Sequence, residues 1–255
     1  MIIPKLRTPL VLVHGVLGFD ELRLCGWTFA RYFPGIVEAL RKPGNRVLVA
    51  RLSPTRGVAE RAAQLKDFIN RHAPHEPVHI LAHSMGGLDS RYMISRLGMA
   101  PRVLSLTTIG TPHRGSPFAD WGIRRFARLL RPVFDLCGVP KQAFFDLTTT
   151  SCQRFNAEVP DAPGVRYFSV AGLHEMNWRS LRWRLLAQVV AAAEGDNDGV
   201  VSLTSARYGE DCEVWDGDHL TLVNWPDPAA LAGGRWQDRT PRYGRLVRRL
   251  ADEGF

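Results

Sequence analysis

The stretch Val78-His79-Ile80-Leu81-Ala82-His83-Ser84-Met85-Gly86-Gly87-Leu88 constrains this chain more than any other. Pro77 closes the segment before it, and Val78, Ile80 and Leu81 are the branched and aliphatic residues of a buried strand. Ala82, Gly86 and Gly87 then put minimal side chains on both sides of Ser84. That spacing predicts a strand that turns sharply into a helix, with the serine on the strained turn between them. Bulk two residues to either side would collide where strand and helix come closest. A serine among small residues also arises by chance in Gly-rich turns, so the pentapeptide decides little by itself. The strand before it and the helix after it give it weight.

Around this stretch the chain alternates. Short apolar runs at 8–13, 46–52, 103–109, 165–170 and 212–215 predict strands, and helical spacing recurs at about 32–40, 58–69, 87–97 and 243–251. Strands alternating with helices imply right-handed crossovers and a parallel sheet, whose ligands bind beyond the carboxyl ends of the strands. With 255 residues, 45% of them hydrophobic, the chain can bury a full core as one α/β domain. No linker, repeat or shift of composition divides it. From Phe118 to about Val159 no strand is evident, which predicts a helical cap or lid inserted at about 118–160. Apolar positions from Trp178 to Val190 predict a helix at about 177–193, either a second cap helix or one packed on the sheet.

The net charge of +8 comes mostly from scattered arginines. No block interleaves basic and aromatic residues as a nucleic-acid module would, so no nucleic-acid partner is expected. A monomer is expected. Cys25, Cys137, Cys152 and Cys212 lack metal-ligand spacing and are either free thiols or contain one bridged pair. Met1-Ile-Ile-Pro-Lys leads almost directly into a strand without a signal-peptide pattern, and no uncharged stretch is long enough to span a membrane. The compartment stays open: cytoplasmic by default, secreted if a leader has been removed.

Serine is a weak nucleophile until a base takes its proton and an acid orients that base. Three histidines follow Ser84. His113 comes too early to leave room for an acid, and His174 precedes the acidic turn Gly195-Asp-Asn-Asp-Gly199. His219 follows the last strand and is the expected base. Asp216 and Asp218 share its loop and cannot easily reach the far ring nitrogen. Asp198, in an Asn-Asp-Gly turn, is the preferred acid and Asp196 the runner-up. Two backbone N–H donors must receive the oxyanion. Met85 directly after the serine should supply one, and Val16 in the His14-Gly15-Val16 loop the other. His14 should brace that loop, and His83 should point away from the serine in a structural role.

With these residues placed, the chain resembles the bacterial true lipases, the Pseudomonas and Burkholderia-like triacylglycerol lipases of the α/β-hydrolase superfamily. The resemblance rests on Val-Leu-Val-His14-Gly-Val-Leu-Gly-Phe-Asp20, Ala-His-Ser84-Met-Gly-Gly, Thr-Thr-Ile-Gly110-Thr-Pro-His-Arg-Gly-Ser116, Asn197-Asp-Gly-Val-Val and His219-Leu-x-x-Val-Asn224. It implies an α/β-hydrolase fold and an ester hydrolase acting on acylglycerols, with Ser84, Asp198 and His219 as triad and transient contact with a lipid–water interface. Those lipases also hold a structural calcium through an aspartate two residues, and a glutamine six residues, after the histidine. Thr221 and Trp225 stand there instead. Calcium prefers several oxygen ligands, so no family-type calcium and no other cofactor is expected. A short-chain carboxylesterase, thioesterase or acyltransferase would use the same triad. A non-catalytic binding protein on this fold is the remote alternative.

Overall fold

The computed structural model describes residues 3–16, 21–24, 27–125, 142–174, 183–227, 231, 233–234 and 236–255. Six strands form one parallel sheet in the order β4-β1-β5-β6-β7-β8. They are β1 (Leu10–Val13), β4 (Val47–Ala50), β5 (Val78–His83), β6 (Val103–Ile109), β7 (Arg166–Leu173) and β8 (Asp211–Asp216). β2 (Glu21–Leu24) and β3 (Trp27–Arg31) form a separate antiparallel pair. The central strand β5 lies between β1 and β6, in register Ala82 with Val13 on one side and with Thr108 on the other.

Residues alternate between the two faces along each strand, and the core splits accordingly. Leu10, Leu12, Leu81 and Ile109 join the cluster on one face, and Val11, Val13, Ile80 and Ala82 the cluster on the other. Helix α1 (Ile36–Arg41) covers the first face together with the late helix Thr240–Asp252, through Ile36, Leu40, Leu246, Val247 and Leu250. The second face is covered by α2 (Val58–His72) and α3 (Met85–Arg96), through Ala62, Leu65, Ile69, Met93 and Ile94. Thus the parallel sheet with helices on both faces is present as the alternation requires.

Some boundaries differ from expectation. The predicted helix at 32–40 begins only at Ile36, because Tyr32 and Phe33 enter the core ahead of a turn at Pro34-Gly35. Within 118–160 the structure has α4 (117–125), α5 (Gln142–Asp146) and α6 (Thr149–Glu158). The middle of that insertion, 126–141, lies outside the described residues. So does 175–182, where a second cap helix was expected to begin; the helix described after it is α7 (Arg184–Glu194). A short α8 (Leu203–Ala206) precedes β8, and the helix Thr240–Asp252 is α9. Among the described residues Cys152 and Cys212 are free thiols, and no helix is long and apolar enough to cross a membrane.

The flanks of the insertion are tied to the core. Asp146 of α5 accepts from the N–H of Val58 at 2.7 Å, filling the capping role at the start of α2 that Gly57 has no side chain to perform. Asp120 of α4 accepts from the backbone and hydroxyl of Thr149, at 3.2 and 2.8 Å.

One charge on the amphipathic helix α2 is fully buried. Arg61 donates from Nε to Asp89 of α3 at 2.8 Å, and from its other nitrogens to the carbonyls of Ser53 (2.6 Å) and His14 (2.8 Å). Burial pushes the Asp89 carboxyl up to about 7, against the opposing pull of the Arg61 guanidinium. Removing one partner of such a pair strands the other in a medium that cannot solvate it. Asp89→Ala should therefore lower unfolding free energy by about 3–5 kcal/mol. Asp89→Asn, which keeps an acceptor for Arg61, should lose less. Urea denaturation of the two variants and the wild type measures the difference.

Candidate active site

The loops after β1, β5 and β6 and those following β7 and β8 converge at the carboxyl edge of the sheet. Ser84 sits at φ 55°, ψ −131° between β5 and α3, a conformation that non-glycine residues adopt only under constraint. The constraint comes from β6 and the loop beyond it. The Ser84 N–H donates to the carbonyl of Ile109 (2.9 Å), and the Ser84 carbonyl accepts from the Thr111 hydroxyl (2.8 Å). A Cβ on Gly86 would lie 2.8 Å from the His14 carbonyl oxygen, and one on Gly87 only 2.2 Å from the Thr111 hydroxyl. Glycine is therefore required at positions 86 and 87. The methyl group of Ala82 is packed in the core.

His219 Nε2 lies 3.0 Å from Ser84 Oγ, and Nδ1 lies 2.7 Å from Asp198 Oδ2. With Nδ1–H donating to the carboxylate, Nε2 is left as the acceptor facing the serine. The other carboxylate oxygen of Asp198 accepts the N–H groups of Val200 (2.9 Å) and Val201 (2.7 Å), and the Asp198 carbonyl accepts the N–H of His219 (2.8 Å). The acid turn thus grips the main chain of the base as well as its ring.

The rejected candidates are engaged elsewhere. Asp196 is exposed, and its carbonyl accepts the N–H of Leu203. Asp216 pairs with Arg239 and Arg242, and Asp218 accepts the N–H groups of Leu220 and Thr221. His113 is buried between the Thr108 hydroxyl and the Arg91 guanidinium and stacks on Tyr208 at 4.1 Å. Burial first and Arg91 second hold it well below the usual histidine range. His174 donates its backbone N–H to the carbonyl of Asn197 in the acid turn (2.8 Å).

Two glycines make room for the acid–base pair, and neither was singled out from the sequence for this role. A Cβ on Gly172 would lie 2.7 Å from Asp198 Cβ. One on Gly110, whose φ is 56°, would lie 3.1 Å from Asp198 Oδ2 and 3.3 Å from His219 Nδ1. Gly110 was visible as part of Thr-Thr-Ile-Gly110-Thr-Pro, whereas Gly172 follows an apolar run with nothing to mark it.

As the first residue of α3, Met85 has an N–H with no acceptor inside the helix. The loop carrying Val16 passes directly beside the serine: a Cβ on Gly15 would lie 2.7 Å from Ser84 Cβ and 3.1 Å from Oγ. His14 braces this loop as expected. Its Nε2 accepts the N–H of Leu52 (3.1 Å), so Nδ1 carries the proton and donates to the carbonyl of Gly15 (2.9 Å). Burial, reinforced by Arg61, lowers its pKa to about 4, which keeps that tautomer neutral. Since a peptide unit is planar, fixing the Gly15 carbonyl also fixes the direction of the Val16 N–H.

Residues 56–208, more than half of the chain, match the family model described as a PGAP1-like alpha/beta domain. The chain belongs to that family. The matched region of this PGAP1-like domain contains Ser84 and Asp198 and stops before His219. The domain is similar to triacylglycerol lipase 2 of Saccharomyces cerevisiae, 29% identical over 272 residues that cover 86% of this chain and 81% of the yeast protein. It is similar over a shorter stretch to the triacylglycerol lipase of Burkholderia plantarii, 39% identical over 122 residues, 45% of this chain and 32% of that protein. In fold it is similar to the mature lipase BlEst2 of Bacillus licheniformis, with a TM-score of 0.70 at 23% identity, covering 94% of this chain and 91% of that one. The PGAP1-like domain therefore has the α/β-hydrolase fold.

The residues after the base do not fit the calcium site of the bacterial lipases. The Thr221 hydroxyl donates to the Asp218 carbonyl (2.8 Å), and the Trp225 indole N–H donates to the Tyr32 carbonyl (3.0 Å). A hydroxyl and an indole in those two places supply no carboxylate or carboxamide oxygen.

Gly15 is the glycine of the PGAP1-like site whose Cβ would meet Ser84 itself, which makes it a direct steric test. Gly15→Ala should leave a folded protein, read by circular dichroism, and should lower kcat/KM for a p-nitrophenyl ester by about 100-fold or more if the Val16 N–H is the expected oxyanion donor, since loss of such a donor costs about 2.7–4 kcal/mol of transition-state stabilisation.

Proposed function

We propose that this protein is a serine hydrolase that cleaves carboxylic esters of lipids through an acyl-enzyme. The observation that carries the proposal is the continuous hydrogen-bonded line from Ser84 Oγ through the His219 ring to Asp198, built on a serine in a strained backbone conformation. Similarity to triacylglycerol lipases of yeast and bacteria supports the substrate class.

In the proposed reaction His219 Nε2 takes the Ser84 proton as Oγ attacks the ester carbonyl carbon. The carbonyl oxygen becomes an oxyanion between the N–H groups of Val16 and Met85. Asp198 stabilises the imidazolium that has formed. Collapse of the tetrahedral intermediate breaks the bond to the alcohol oxygen, and His219 returns its proton to that oxygen. Water, deprotonated by the same nitrogen, then attacks the acyl-enzyme. The second intermediate collapses to the free fatty acid and regenerates Ser84.

An apolar cluster surrounds the proposed oxyanion donors. Val58, Met85, Leu88, Ala119, Ala143 and Leu147 pack together, with Val16 against them. These buried side chains make the environment on that side of Ser84 apolar, which favours an acyl chain over a polar acyl group. The bacterial true lipases, which share the His14 loop, the Ser84 turn and the His219 segment, are the finer family assignment we propose. In this chain that assignment comes without their calcium, since Thr221 and Trp225 do not fit it.

Labelling with a serine-directed fluorophosphonate tests the nucleophile. Ser84→Ala should abolish labelling and hydrolysis together, and labelling that persists in Ser84→Ala refutes the reading. Asp198→Asn should lower kcat by about 10⁴-fold, the loss seen when the acid of such a triad can no longer orient its base. Asp196→Asn should leave kcat unchanged. Hydrolysis of p-nitrophenyl esters from acetyl to palmitoyl then reads the acyl preference, and cleavage confined to acetyl and butyryl esters overturns the lipase assignment.

A further inference from the structure

Tyr32 and His83 play no part in the reaction as written, yet both lie at its centre. Tyr32 is nearly buried, its ring between His14 and His83 with centroids 5.5 and 5.7 Å away. His83 immediately precedes the nucleophile and is fully buried, its ring centroid 4.5 Å from that of His219. We propose that these two side chains form a positioning relay that locks the oxyanion loop to the loop carrying the base. The proposal rests on the serine-hydrolase reading above.

The protons in the relay are determined by its ends. The carbonyl oxygen of His219 can only accept, and His83 Nε2 stands 2.9 Å from it, so Nε2 carries a proton and donates it. Burial, aided by the neighbouring His219, keeps His83 well below the usual histidine range and therefore neutral. His83 Nδ1 is then an acceptor, and the Tyr32 hydroxyl at 2.7 Å donates to it. That hydroxyl in turn accepts the N–H of Gly15 at 3.0 Å. Burial pushes the Tyr32 phenol up to about 12, so it keeps the proton it donates. One directed chain thus runs from Gly15 N–H through the Tyr32 hydroxyl and the His83 ring to the His219 carbonyl.

What lies at each end distinguishes this chain from ordinary core satisfaction. At one end is the residue whose peptide carries the Val16 N–H. His14 holds the carbonyl of Gly15 and Tyr32 holds its N–H, so the peptide units on both sides of that residue are fixed. At the other end, His219 has its N–H bonded to Asp198 and its carbonyl bonded to His83, which leaves its main chain no freedom beside the serine. Two further bonds bring the base side to the Tyr32 segment: the Trp225 indole donates to the Tyr32 carbonyl (3.0 Å), and the Asn224 carboxamide to the Pro34 carbonyl (2.8 Å). The relay therefore sets the distance between the group that removes the proton and the group that receives the negative charge. Catalysis depends steeply on that distance, whereas ground-state binding of substrate does not.

The test compares Tyr32→Phe, His83→Gln and His83→Leu with wild type and Ser84→Ala, on a short-chain p-nitrophenyl ester and well below each melting temperature. Tyr32→Phe removes only the hydroxyl. It should lower kcat by about 10- to 100-fold while KM stays within about twofold, the pattern of a lost alignment rather than lost binding. Affinity for an alkylboronic acid, whose tetrahedral adduct on Ser84 mimics the intermediate, should fall by the same factor as kcat/KM. His83→Gln offers an acceptor and a donor on one planar group and should recover most of the activity that His83→Leu loses. The double variant Tyr32→Phe/His83→Leu should lose no more than the worse single variant, because the two residues act as one chain. The proposal is overturned if Tyr32→Phe keeps wild-type kcat, if its loss appears in KM with boronate affinity unchanged, or if the double variant multiplies the single losses. Hydrolysis that survives Ser84→Ala refutes instead the underlying serine-hydrolase reading, whatever the relay variants do.

Discussion

Everything in this site depends on holding one serine where its backbone does not want to be. A residue with a Cβ at φ 55°, ψ −131° costs on the order of 1–3 kcal/mol, and the surrounding structure must supply that. It does so from both neighbouring strands. β6 and the loop beyond it take the N–H and carbonyl of Ser84, and the β1 loop lies so close that only glycine fits at Gly15, with Gly86 as the matching gap in α3. The strain thus has a use. It throws the hydroxyl clear of both strand and helix at the sheet edge, where loops from four other strands reach it.

The acid–base side uses the same device with different chemistry. Asp198 is not merely near His219. Its turn satisfies the carboxylate with two backbone N–H groups and the base with one backbone carbonyl, so the pair is oriented before substrate arrives. Arg61 performs the corresponding task for the oxyanion loop, reaching across from α2 to the His14 carbonyl while Asp89 of α3 neutralises it. The His14 loop is consequently fastened to both helices of one face, while the Ser84 turn is fastened to β6 and the loop beyond it.

What was readable in the amino-acid sequence follows from which forces are local. Ser84 could be found because strand, turn and helix all leave marks within a dozen residues, and His219 because chain order leaves it alone after the last strand. Asp198 could be preferred over Asp196 only by turn chemistry; Asp198 Oδ2 lies 2.7 Å from His219 Nδ1, and Asp196 is exposed. Tyr32 left no such mark: the hydrogen-bond partners of its hydroxyl are 17 and 51 residues away. Arg61 looked like any charge on an amphipathic helix, since periodicity cannot say that a cation is paired in the core. The β2–β3 ribbon was missed although Glu-Leu-Arg-Leu alternates as a strand should, because the cysteine and glycine that follow interrupt the pattern. The short helix α8 and the late start of α1 belong to the same class, being decided by tertiary contacts rather than propensity.

The slot that holds the acid and base is bounded by what Gly110 and Gly172 lack. A constraint of this kind is invisible in any inventory of functional groups, because it consists of two missing methyls on separate strand ends. It also gives the protein an evolutionary asymmetry. One nucleotide change in either glycine codon suffices to crowd the pair, while moving the acid elsewhere would require rebuilding the ends of β6 and β7 together. In such a lineage the chemistry is far easier to silence than to relocate, and descendants that keep the fold without the activity should be expected to have lost a glycine as readily as a triad member.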